Sequence, residues 1–266
     1  MKDTILQRLL AQAASVRPSK QDTVLQPVYL DPTTSGRVIT RGEIVVPGEE
    51  TKKAFPRTRD FPFHFRKTFT SESGPVKRGE SPSLEFQKTL PIHRLFPHEV
   101  PEPLGHSQWV YRCTAVCGQT FNALSPFVDI KEELAFELNL SHDTFREHAE
   151  RVLGLCDLLD KLHASGIAHG DLTLHNAMWH ETGKPVLIDL AGSEKLAEMP
   201  HEQRIRSRDD DFSEPYRDLI LAQYYIGPLP HPHARKSLQR IEELFSERCL
   251  AKLNKLKAPD WTDEIS

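Results

Sequence analysis

Two carboxylates and one amide stand in a single stretch of the chain, His169 to Ala191, where their types and spacing could do chemistry. Asp171 and Asn176 are five positions apart in HGDLTLHN, directly after a segment of helical periodicity. Asp189 closes the short apolar run Val186-Leu187-Ile188, which has the character of a buried strand. A turn that gathers such groups offers a carboxylate to position and deprotonate a hydroxyl, and hard oxygen ligands for magnesium. Those are the parts that phosphoryl transfer needs, because it depends on placing a nucleophile and neutralising phosphate charge.

The elements that must position these residues are legible around them. Residues 143 to 165 carry apolar side chains at three- and four-residue steps (Ala149, Val152, Cys156, Leu159, then Leu162 or His163), with charged residues largely elsewhere, and Gly166 ends the run. A long helix therefore delivers the chain into HGDLTLHN. Before it, residues 24 to 69 have the β-branched and aromatic texture of an antiparallel sheet with long hairpins. In FHFRKTF, strict alternation places Lys67 on one face with Phe63, Phe65 and Phe69. An ammonium on an apolar face needs a partner, since burying it unpaired is costly. Pro101 to Gly118 holds two further strands, and residues 4 to 15 form a short amphipathic helix. Tyr216 to Tyr225 is an apolar helix. Leu238, Ile241, Phe245, Cys249, Leu253 and Leu256 mark one closing amphipathic helix. The intervening segment from Ala191 to Pro215 is polar and mixed in charge, which predicts a solvated loop that a substrate could also use.

His169-Gly170-Asp171-Leu172 with Asn176 resembles the catalytic loop of the protein-kinase superfamily, and Ile188-Asp189-Leu190-Ala191 resembles its metal-binding segment. The HGDLT wording is most similar to the small atypical kinases of the tRNA-threonylcarbamoylation machinery. RIO, lipopolysaccharide and aminoglycoside kinases share the same core. The resemblance implies an α+β, two-lobed protein-kinase-like fold, with an antiparallel β N-lobe over residues 21–124 and a short helical C-lobe over residues 125–266. Residues 1–20 would form an N-terminal arm. It implies Asp171 as the catalytic base, Asn176 and Asp189 as ligands of Mg2+, and Lys67 holding the phosphates of ATP. Glu85, in the Ser81-capped, Pro82-started segment SPSLEFQKTL, is the implied partner of Lys67. Gly48 in VVPGEE resembles the short phosphate-facing loop of atypical kinases. Thr33-Thr34-Ser35-Gly36 is its rival, and an ordinary hairpin would account for either. Cys113 to Gly118 would border the adenine, and Asp218 resembles the aspartate that braces the catalytic loop from beneath.

The chain departs from the pattern in places. No GxGxxG is present, Phe65 stands where a small residue usually lies above the adenine, and Thr173 replaces a lysine near the transferred phosphate. Gly170 replaces the arginine that clamps an activation-loop phosphate, so switching by loop phosphorylation is not required. The implied function is an ATP-dependent serine/threonine protein kinase. Kinases of small molecules or carbohydrates, and a pseudokinase binding module, are the alternatives.

At 266 residues, with 38% hydrophobic and 27% charged side chains, the chain can bury a proper core. A net charge of −4 gives no general case for nucleic-acid or membrane-surface partners. A protein acceptor is expected ahead of a small molecule, with room for a regulatory partner. The four cysteines fit no zinc or redox spacing, and the histidines at 163, 169, 175 and 180 lack a helical metal-binding arrangement. A cytoplasmic location is expected.

Overall fold

The structure, a computed structural model, describes residues 4–28, 38–71, 81–127 and 140–253. In chain order the elements are α1 (Ile5–Ser15), β1 (Thr23–Val28), β2 (Val38–Val46), α2 (Glu49–Ala54), β3 (His64–Ser71), α3 (Pro82–Leu95), β4 (Pro103–His106) and β5 (Val110–Cys113). They continue with β6 (Gly118–Thr120), α4 (Phe121–Leu124), α5 (His142–Ala164), β7 (Ile167–Ala168), β8 (Ala177–His180), β9 (Lys184–Leu187) and β10 (Glu194–Lys195). The chain ends with α6 (His201–Asp211), α7 (Ser213–Ile226), α8 (Pro232–Gln239), α9 (Ile241–Leu244) and α10 (Glu247–Leu253). The fold is mixed α+β with antiparallel sheets, in two compact units. The first is Met1–Gln119 with Met178–Ser193; the second is Thr120–Ala177 with Glu194–Ser266. Asp189 thus belongs to the first unit, as does α1, whose Leu9 is buried against Ile44, Phe63 and Cys117. No helix among the described residues is long and apolar enough to cross a membrane.

The first unit is built on a five-stranded sheet of order β1-β2-β3-β5-β4, with every neighbouring pair antiparallel. Register decides its two faces. Gly42, Lys67 and Tyr111 stand opposite one another, as do Ile44, Phe65 and Cys113, and these share one face. Glu43, Arg66 and Arg112 stand opposite one another on the other. That second face carries a charge network. The Asp22 carboxylate accepts from Arg66 Nη1 at 2.9 Å, lies 2.8 Å from Arg112 Nη1, and accepts from the Gly48 N–H at 3.0 Å. Arg66 also pairs with Glu43, and Arg112 Nη1 lies 2.7 Å from His64 Nε2. Two arginines balance two carboxylates, which is what lets charged groups stay buried.

The second unit is helical. Ser141 caps α5, accepting from the Thr144 N–H at 3.2 Å, and Gly166 at φ +83° turns the chain out of it. The expected face of α5 is its buried face: Ala149, Val152, Cys156, Leu159, Leu162 and His163 are all inaccessible. They pack towards α7, whose Leu219, Ile220 and Ala222 are equally buried, and the rings of Phe145 and Tyr225 stack at 4.1 Å. Two expectations need correction. The polar segment after Asp189 is not one solvated loop, because residues 201–211 form α6 with Ser207 and Asp211 turned inward. The single closing helix is three short ones. Phe245 adopts extended backbone (φ −130°, ψ 150°), so Ile241, Phe245, Cys249 and Leu253 are buried as expected but from a broken path. Leu256 lies outside the described residues.

Burial, and then the Arg112 guanidinium beside it, push the His64 imidazole down to about 3, so it is neutral in the folded chain. A group depressed on folding contributes stability above its unfolded pKa and loses it as pH falls through the window to its folded value. The melting temperature of the wild type is therefore expected to fall between about pH 6.5 and about pH 4. His64→Gln should flatten that fall, as differential scanning calorimetry across the window would show.

Candidate functional site

Three residues that the sequence singles out meet in the first unit. Lys67 projects from β3, Glu85 from the first turn of α3, and Asp189 from the turn after β9. Lys67 Nζ donates to Asp189 Oδ2 at 2.9 Å and lies 3.1 Å from Glu85 Oε2. The ammonium also lies 5.2 Å from the centre of the Phe69 ring. Local sequence explains each placement. Ser81 caps α3 by accepting from the Leu84 N–H at 3.1 Å, and Pro82 starts the helix, which sets Glu85 facing the sheet. Lys88, one turn further along α3, donates to the Ser193 carbonyl at 2.6 Å and ties the helix to the segment carrying Asp189. Asp189 is the only non-glycine residue at positive φ among the described residues (φ 55°, ψ 58°). Aspartate tolerates the left-handed region better than most residues, and the Lys67 contact helps hold it there.

The electrostatics follow from one cation shared by two anions. Burial works against the Lys67 ammonium, but Glu85 and Asp189 outweigh it and hold its pKa above the ordinary lysine value. Burial pushes the Glu85 carboxyl up to about 7, opposed by Lys67 and reinforced by Asp189. Glu85 is 3% exposed, whereas the Asp189 side chain is 35% exposed. Asp189 is therefore the carboxylate that can also serve a ligand in solvent.

Gly48 does not join this group. It caps α2, donates its N–H to Asp22 on the sheet face opposite Lys67, and packs so tightly that a Cβ would lie 2.4 Å from the Gln21 carbonyl. The glycine is required by the backbone of residues 20–21, and its amide is already committed. The rival turn at residues 33–36 lies outside the described residues. Phe65 is half-buried against Phe69, Tyr111 and Cys113. In the 113–118 segment, the Cys117 carbonyl accepts from the Glu181 N–H at 3.0 Å.

In the second unit, HGDLTLHN is a loop whose alternating leucines anchor it. Leu172 and Leu174 are buried, while Asp171 between the anchor and the helix end is exposed. The Asn176 side-chain Nδ2 donates to the Asp171 carbonyl at 2.8 Å, which leaves Oδ1 as the atom that can accept or bind a cation. The loop is held from beneath by Asp211, not by Asp218 as the resemblance implied. Asp211 Oδ2 accepts from the His169 N–H at 2.8 Å and Oδ1 from the Gly170 N–H at 3.0 Å. His163 Nε2 lies 2.8 Å from Oδ2 and must carry the hydrogen, since a carboxylate only accepts. Gly170 turns the chain at φ +78°, left-handed backbone that glycine adopts without strain. Asp218 instead accepts from Ser125 Oγ at 2.6 Å and pairs with His148 Nε2 at 2.7 Å, which joins α5 to α7. Glu214 adds a second brace, accepting from the Leu174 N–H at 2.6 Å.

Asp211 escaped the sequence reading because the inner face of α6 is polar. Ser207 and Asp211, four apart, carry no hydropathy signal, and the run Asp209-Asp210-Asp211 has the look of a solvated charge block.

Of the histidines in the 163–180 region, His180 bonds Thr182 and His163 bonds Asp211. Among the described residues no group of three or more His, Cys, Asp or Glu side chains is arranged to hold a metal ion. All four cysteines are buried, and no disulfide joins them. No protein-family model matches the chain, and no curated protein matches it either.

Two outcomes follow. Asp211→Ala strands two backbone amides and an imidazole in a dry site, so it should cost about 3 kcal/mol or more of stability. Hydrogen exchange should then speed most at His169 and Gly170. For Glu85, a carboxyl raised on folding contributes stability that is complete below its unfolded pKa and is lost as pH rises to about 7. Glu85→Gln should therefore gain in melting temperature relative to wild type as pH rises from about 4.5 to about 7.

Proposed function

We propose that the chain is a magnesium- and ATP-dependent phosphotransferase of protein-kinase-like fold, acting on the alcohol hydroxyl of a serine or threonine in a protein. The observation that carries this reading is the Lys67 ammonium, buried and held at once by Glu85 and Asp189 from two other elements. A cation fixed in that way, with one of its carboxylates partly open to solvent, is poised to take the oxygens of a polyphosphate. The residues also fit magnesium. Asp189 and the Asn176 Oδ1 are hard oxygen donors, and magnesium bound with a nucleotide characteristically takes few protein ligands besides phosphate and water.

In this reading Lys67 binds and orients the phosphates, and Glu85 keeps Lys67 extended towards them. Asp171 would orient the acceptor hydroxyl and take its proton as the hydroxyl oxygen bonds the transferred phosphorus and the bond from that phosphorus to ADP, the leaving group, breaks. Asp211 keeps Asp171 in position through the backbone of His169 and Gly170. Bound magnesium and ATP would supply the transferable phosphoryl group and neutralise its charge. Gly48 is left out, because its amide serves Asp22.

The test is ATP turnover with magnesium in wild type, Asp171→Asn and Asp189→Asn, each checked for retained fold. Both substitutions should lower turnover roughly a hundredfold or more. Thiophosphate transferred to a protein band would identify a protein acceptor, and turnover on sugars or aminoglycosides a small-molecule one. Equal background in all three proteins would exclude the phosphotransferase.

A further inference from the structure

Resting on that reading, we infer that α1 is a plug in the base pocket of the nucleotide site, and must leave for ATP to bind fully. The pocket is located by the sheet. Val28, Ile44, Phe65 and Lys67 share one face by register, so a nucleotide with its phosphates at Lys67 lays its base on the apolar surface beside it. On one side of Lys67 that surface is closed: Phe69, Tyr111 and Cys113 pack with Phe65 and with Phe86 of α3. On the other side lie Ile44, Phe63, Ala115 and Cys117, an apolar wall bordered by the backbone of residues 114–117. Apolar walls with a few backbone polar groups at one edge are what a flat heteroaromatic ring requires.

That place is taken. Leu9 of α1 is 2% exposed and packs with Ile44, Phe63 and Cys117, while Ile5 and Ala13, one turn to either side, pack against the same cluster. The helix is pinned at its start by Glu181, whose carboxylate accepts from the Ile5 N–H and, at 3.4 Å, from the Leu6 N–H. It is not pinned elsewhere to the same degree. Leu9 is its only fully buried side chain, and Leu6 and Leu10, four apart on its outer side, are 40% and 41% exposed. A helix apolar on both sides is able to exchange one apolar contact for another. The Thr4–Gln7 capping box satisfies the start of the helix from within, so α1 does not need the sheet for its cap and can move along residues 16–22.

The experiment compares wild type, Leu9→Asp and Glu181→Ala as full-length chains. Calorimetry measures binding of magnesium–ATP, of adenosine, and of magnesium tripolyphosphate, which has no base. Both variants should bind ATP and adenosine at least about tenfold tighter than wild type, because each loosens the plug. Tripolyphosphate should bind all three alike, and trypsin should cut after Arg8 faster in the variants. Glu181 is exposed, so Glu181→Ala, which removes the acceptor, carries the test even if Leu9→Asp prevents folding. Equal ATP and adenosine affinities in all three, with tripolyphosphate bound, would overturn the plug and leave the nucleotide reading standing. Failure of all three to bind either polyphosphate would overturn the nucleotide reading and the plug with it.

Discussion

An ammonium buried without a partner costs several kcal/mol, and Lys67 is 6% exposed. The first unit is arranged around meeting that cost. Glu85 must come from α3, so α3 must dock on the sheet with its first turn against β3. Asp189 must come from the turn after β9, which accepts left-handed backbone in doing so. Lys88 and the Ser193 carbonyl bind those two elements to each other. Remove the lysine and the buried Glu85 loses the cation it shares with the part-exposed Asp189. Remove the carboxylates and the lysine has no reason to be inside.

The second unit obeys the same constraint with the signs reversed. Asp211 is a buried carboxylate that is satisfied by two backbone amides and an imidazole rather than by a cation. Backbone amides are fixed by the fold, so an acid satisfied in this way dictates the path of the chain at His169 and Gly170. Position of the loop, and therefore of Asp171, is set by a residue that need touch no substrate.

The far face of the first unit's sheet shows that charge can also be used without a ligand in view. Asp22, Glu43, Arg66 and Arg112 balance one another there, and His64 stays neutral because burial, and then the Arg112 charge beside it, disfavour its protonation. Gly48 belongs to this network, which explains why a glycine in a suggestive sequence context does not face Lys67. The two faces of one sheet thus have different tasks: one locks the unit, the other presents a lysine beside an apolar wall that α1 covers.

Local periodicity was enough to determine much of this. Alternation in FHFRKTF put Lys67 among aromatics, Ser81 and Pro82 started the helix that carries Glu85, and three- and four-residue steps drew α5 and its buried face. Each of those signals lies within a few residues of what it predicts. What the tertiary structure decided depends on residues far apart in the chain. Asp211 holds residues about forty positions earlier, Asp22 claims the Gly48 amide, and Leu9 sits against Ile44 and Cys117. Helical spacing at 241, 245, 249 and 253 survived a break at Phe245, because burial can be met from more than one backbone path. A hydropathy pattern records which side of an element faces inward. It does not record what waits there, and a polar inner face, as in α6, leaves no pattern at all.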